Sequence, residues 1–68
     1  MKLQLNGEPK TLDSDTLTVA ELLAHLDITQ RRGVAIAVNN SVVPKSEWDD
    51  HQLDDDDAVE IIRATQGG

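Results

Sequence analysis

The sequence predicts a small two-layer α+β domain, with one helix lying across one sheet. Three observations point there: Leu3 and Leu5 alternate with polar residues up to Asn6-Gly7, residues 19–26 carry a single helical stripe, and two later runs, VAIAV and AVEIIR, read as strands. At 68 residues the chain is one domain, and chains of this size bury only about 60% of their unfolded surface.

Each element follows from its residues. The opening KLQLNGEPKTL has the two-residue period of a half-buried strand, and Asn6-Gly7 tolerates the positive φ angles of a tight hairpin turn. The return strand contains Pro9, which cannot donate to a ladder, so that strand belongs at a sheet edge. Val19, Leu22, Leu23 and Leu26 then fall at i, i+3, i+4 and i+7, one apolar helical stripe. Thr18 and Glu21 have the spacing of a capping box, and Leu17 and Leu22 stand at the flanking staple positions. The helix is expected to end around Asp27. His25 lies off the stripe with no second metal ligand spaced to join it, and reads as an exposed helical residue.

VAIAV is apolar on both faces, with Val34, Ile36 and Val38 on one and Ala35 and Ala37 on the other. That pattern predicts an interior strand whose small alanines admit the helix. Asn39-Asn40 suits the next turn, SVVP starts a short strand that Pro44 stops, and KSEW fits one helical turn. Trp48, the only aromatic residue, is expected to cover one end of the core with its indole N–H near solvent, rather than to meet a partner. DDHQLDDDD reads as a solvated turn, because it lacks the alternating oxygen ligands and the glycine of a calcium loop. His51 within it has no metal-ligand partner at useful spacing. AVEIIR forms the last strand, turning Val59 and Ile61 to one face and Glu60 and Ile62 to the other. The first and last long strands can then be central neighbours, aiming the final residues off one sheet edge.

Composition narrows the function. Thirteen acidic against six basic residues give a net charge of −7, and only Arg31-Arg32 are adjacent cations, so nucleic acid is discounted as a partner. Such a field favours encounter with a basic protein surface. No cysteine is present, which suits a reducing compartment and removes thiol chemistry. The first residues turn polar too early for a signal peptide, and no apolar run approaches a membrane span, so a cytoplasmic protein without a membrane partner is expected. No nucleophile–base pair, metal cluster, phosphate-cradling loop or paired-carboxylate site stands at recognisable spacing. The expectation is a chain that is not an enzyme and has no catalytic residue, bound metal or cofactor of its own.

What stands out is the closing Gly67-Gly68. A frayed end is one reading, since glycine costs more backbone entropy to order than any other residue. The other is chemical. Extended at about 3.3 Å per residue, residues 65–68 span about 13 Å, and two residues without Cβ atoms can thread a narrow channel. A free carboxylate on Gly68 is a poor acyl donor and needs activation, for instance as an acyl-adenylate. The tail then makes sense as a substrate for a partner enzyme, with a domain over 1–64 and a flexible arm over 65–68.

The order of elements, the short length and Gly67-Gly68 resemble the β-grasp sulfur carriers and ubiquitin-like proteins. Within that group AVNNSVVPKSEW is similar to the Asn-x-x-x-Val-Pro-Arg/Lys-x-x-Trp pattern of the ThiS family of thiamine-pathway sulfur carriers, at Asn39, Val43, Pro44, Lys45 and Trp48. LQLNG and TVAELLAHL also resemble that family, so the likeness covers essentially the whole chain. One departure is that the family often has Asp-Gly-Asp before the last strand where this chain has DDDD, so Asp56 stands at the glycine position. The resemblance implies a β-grasp mixed sheet with one helix across one face. It also implies that a ThiF-type adenylyltransferase activates Gly68 with ATP and magnesium, which are the partner's and not this chain's. A sulfur-donor protein's persulfide converts the adenylate to a thiocarboxylate, and thiazole synthase ThiG takes the sulfur. Gly68 would carry the sulfur, with Gln66 and Gly67 in the partner's active-site channel. In β-grasp relatives the open sheet face binds activating enzymes, which the resemblance carries to Ile62. A molybdopterin-synthase small subunit uses the same tail, but its chains are usually longer and lack this Val-Pro-Lys-x-x-Trp stretch. A ubiquitin-like modifier would join Gly68 to lysines, and a plain interaction domain would leave the glycines idle.

Overall fold

The computed structural model describes residues 1–64. Strand β1 (Lys2–Leu5) turns through Asn6 (φ 50°) and Gly7 (φ 84°) into β2 (Glu8–Thr11). Positive φ at both central residues is the turn whose twist matches that of the flanking strands, and Asn-Gly adopts it at little cost. β2 carries Pro9 along the sheet edge, as its missing N–H requires.

A two-residue strand, β3 (Leu17–Thr18), runs straight into α1 (Val19–His25). Both halves of the capping box form: the Glu21 N–H donates to Thr18 Oγ1 at 3.1 Å, and the Thr18 N–H donates to Glu21 Oε1 at 2.8 Å. Leu17 and Leu22 are buried beside this cap. At the other end Asp27 takes φ 60°, its N–H donates to the Ala24 carbonyl, and the Ile28 N–H donates to the Leu23 carbonyl. This is the paired-bond stop that glycine usually makes, here made by an aspartate.

The chain continues through β4 (Val34–Val38), a turn at Asn39 (φ 50°) and Asn40 (φ 70°), and β5 (Ser41–Val43). Pro44 opens a single 3₁₀ turn, Lys45–Glu47. A second two-residue strand, β6 (Gln52–Leu53), precedes β7 (Ala58–Arg63). The main sheet has the order β2-β1-β7-β4-β5, with β7 parallel to β1 and antiparallel to β4. The first and last long strands are therefore central neighbours.

Three expectations need correction. The helix packs on Val34, Ile36 and Val38, which are buried with Leu22, Leu23 and Leu3, while Ala35 is exposed on the other face. A sheet covered by a single layer leaves its second face to solvent, so the alanines lie outside rather than beneath the helix. Second, Trp48 is fully buried and its indole N–H donates to the Val43 carbonyl at 2.8 Å, so the polar end of the ring is satisfied inside. The Arg31 guanidinium lies over the ring, 5.7 Å from its centroid. Third, the acidic stretch is not all turn: β6 pairs with β3 and buries Leu53 against the core.

The remaining aspartates are organised by main chain. The Lys2 N–H donates to Asp55 Oδ1 at 2.7 Å, the Asp54 N–H to Asp57 Oδ2 at 2.8 Å, and Asp56 takes φ 70°, a conformation that favours glycine. Asn39 ties this turn to the sheet, donating from Nδ2 to Asp57 Oδ1 at 2.9 Å and accepting from the Ala58 N–H at 3.0 Å. Asn39→Ala loses both bonds and places a Cβ-bearing aliphatic residue at positive φ, an expected cost of about 2–3 kcal/mol. Asn39→Gly restores only the backbone freedom and should fall between the two in urea denaturation. Equal midpoints for the alanine and glycine variants would show that the backbone contributes nothing there.

Candidate functional site

The strand that leads to the last residues is held from both sides. On its β1 flank the Gln4 N–H donates to the Asp57 carbonyl and the Asn6 N–H to the Val59 carbonyl, each at 2.9 Å. Where β1 ends, the Asn6 side chain takes over: the Ile61 N–H donates to Asn6 Oδ1 at 2.8 Å. On the other flank β4 pairs with β7 from Val59 to Arg63, and the Ala64 N–H donates to the Gly33 carbonyl. Gly33 sits at φ 75°, which an L side chain rarely adopts, so this bend just before β4 depends on glycine. Asn6 was read only as a turn residue; its side-chain role depends on a partner 55 positions away and left no local signal.

Alternation along β7 sends Val59 into the core and Ile62 to the open face, as expected from the sequence. Ile62 is 57% exposed, opposite Ala35, and Val42 of β5 is 73% exposed, opposite Ala37. Two aliphatic side chains thus stand on either side of two low alanines, making a shallow apolar surface with Glu60 beside Ala37. Val42 was not singled out from sequence, since its face follows only from its pairing with β4. Gln66, Gly67 and Gly68, and the expectation of a flexible arm over 65–68, lie outside the described residues.

Lys45 starts the turn that carries Trp48, whose carbonyl accepts the Ala20 N–H at 3.0 Å. The residues of the Asn-x-x-x-Val-Pro-Lys-x-x-Trp stretch therefore brace the start of β7 and close the core end. Among the described residues, no three His, Asp or Glu side chains gather as a metal site. No helix there is long and apolar enough to cross a membrane.

A family model described as the ThiS family matches residues 3–68. The chain belongs to the ThiS family. It is 38% identical over 64 residues to the sulfur carrier protein ThiS of Thermus thermophilus, covering 94% of this chain and 95% of that one. A crystal structure of the thiamine biosynthesis protein ThiS from Geobacter metallireducens superposes with a TM-score of 0.87 at 36% identity, over the whole of both chains. The five-stranded mixed sheet with one helix is the β-grasp fold of that ThiS structure. The chain is also 38% identical to a stretch of the thiazole synthase of Paramagnetospirillum magneticum, where all 68 residues span only 20% of that relative's length.

The two faces of β7 make opposite predictions. Ile62→Asp adds a charge on a solvated face and should leave the melting temperature within a few degrees of the parent. Val59→Asp buries that charge among Leu3, Ile36 and Leu22 and should unfold the domain. Circular-dichroism melts of both variants decide this, and early melting of Ile62→Asp alone would reverse the faces.

Proposed function

We propose that this chain is a sulfur carrier of thiamine biosynthesis and that the carboxylate of Gly68 is its reacting group. The observation that carries the reading is the ThiS family match, which runs through Gly68 and includes Gly67. A ThiF-type adenylyltransferase, using ATP and magnesium, joins the carboxylate to AMP and releases pyrophosphate. A persulfide on a sulfur-donor protein then attacks the acyl carbon, AMP leaves, and a thiol cleaves the resulting acyl disulfide to free the thiocarboxylate. Thiazole synthase accepts that sulfur. Support for this acceptor is that the P. magneticum thiazole synthase contains a segment similar to the whole of this chain.

The chain's own part is mechanical and steric. Its domain presents residues 65–68 from a strand fixed on both flanks; Gln66 and Gly67 occupy the partner's channel, where Gly67 and Gly68 offer no side chain to obstruct it. Ile62 and Val42 provide the apolar contact by which the activating enzyme holds the sheet face. No side chain of the carrier need act as acid, base or nucleophile, since activation and transfer occur in the partners' sites.

Incubation with the activating enzyme, ATP, magnesium and a persulfide donor should raise the intact mass by about 16 Da, one oxygen replaced by sulfur on the activated acyl group. Removal of Gly68 should abolish the shift, and conversion of the truncated chain at the parent rate would refute the assignment. Conjugates on lysines of other proteins would mark a ubiquitin-like modifier instead. In a titration with the activating enzyme, Ile62→Asp should weaken binding at least tenfold while the fold persists, because it sets an unpaired charge in an apolar contact. Unchanged affinity would remove Ile62 from the docking surface.

A further inference from the structure

Charge is distributed unevenly along β7. Before its first residue lie Asp54, Asp55, Asp56 and Asp57, and Asp15 lines a groove shared with Asp54 and Asp55. At its far end the sign changes. Arg32 and Arg63 line one groove of about 330 Å³ at the root of the tail, together with Ile28, Thr29, Val34 and Ala64. Both arginines are exposed, and the ion pair found among the described residues is a different one, Arg31 with Asp49 at 3.5 Å. Asp27 also lines the groove yet lies beyond ion-pair distance of either guanidinium. In a chain of net charge −7, two of its six Lys and Arg residues thus line one cavity, and among the described residues neither has a carboxylate within ion-pair distance.

We propose that this groove receives carboxylate side chains of the partner protein at the mouth of the channel that takes the tail. The proposal rests on the sulfur-carrier reading and names the chemistry of its docking partner. A guanidinium presents paired N–H donors that fit a carboxylate, and two of them flank the groove. The phosphates of the activating nucleotide are the other anions available, and reach excludes them. They meet the chain at Gly68, and the residues between, drawn out at about 3.3 Å each, put about 13 Å between the groove and that carboxyl. This is farther than an arginine side chain extends, so the groove's counter-charge belongs to the channel entrance. Attraction at this groove orients the approaching carrier with its tail foremost, an effect that acts on the association rate.

The test measures association kinetics with the ThiF-type activating enzyme by stopped flow, from low to high salt. Arg32→Glu/Arg63→Glu lowers net charge by four, while Asp13→Lys/Asp15→Lys, at sites remote from the groove, raises it by four. The groove predicts at least a tenfold slower association for the arginine variant at low salt, converging with the parent at high salt, and less than a threefold change for the aspartate variant. Arg32→Gln/Arg63→Gln should fall between the parent and the glutamate variant. Melting temperatures establish that all three variants are folded. Equal and opposite changes in the two charge-reversed variants would mean that net charge alone acts, and would overturn the proposal. Faster association of the arginine variant would overturn it too, since that is the behaviour of a basic entrance. If the parent chain itself does not associate with the activating enzyme or gain sulfur, the carrier reading fails and takes this proposal with it. If the parent is converted while the arginine variant associates at the parent rate, only the groove is wrong.

Discussion

The placement of β7 between β1 and β4 is the constraint on which the rest depends. A central strand has its N–H and C=O groups paired on both sides, so moving it breaks two ladders at once. A strand at the sheet edge would give up only one. Here the last described strand before residues 65–68 lies in the middle of the sheet, with a neighbour on each side. The tether continues past the end of β1, because the Asn6 side chain accepts the Ile61 N–H and Gly33 accepts the Ala64 N–H. A partner that draws on the tail therefore pulls against the middle of the sheet rather than peeling off its edge.

That arrangement gives the stretch from Asn39 to Trp48 a structural part in holding β7. Asn39 holds the first residue of β7 and the carboxylate of Asp57, and Trp48 closes the core end with its N–H on the Val43 carbonyl. Such residues act on stability and on the position of β7, and only through β7 on the tail. In the proposed sulfur transfer a change there would act by loosening the strand, whereas a change at the exposed Ile62 or Val42 would leave the strand in place and alter what it presents. The division follows from burial: Trp48 has no access to a partner, and Val42 and Ile62 have little contact with the core.

Net charge alone gives a misleading picture of the surface. A value of −7 suggests attraction to basic partners, yet the acidic groups crowd the start of β7 and two arginines stand at its end. Fields at contact distance are local, because salt screens charges more than about 8–10 Å apart. The field at the far end of β7 is therefore set by Arg32 and Arg63 more than by the sum over the chain.

Much of the architecture was legible because it is written in short-range stereochemistry. Asn6-Gly7 and Asn39-Asn40 admit positive φ, Thr18 and Glu21 cap a helix at fixed spacing, Pro9 demands an edge, and a period of two assigns the faces of β7. These signals need only neighbours in the chain, and the sequence by itself determined them. The tertiary structure alone decided which face of VAIAV meets the helix, where the Trp48 N–H finds its acceptor, that Gln52 and Leu53 pair with β3, and that Arg32 and Arg63 share a groove. Each of these depends on groups far apart in sequence meeting across the fold. An apolar run does not say which of its faces is covered, and a charge does not say which others it will stand beside, until the sheet has been assembled.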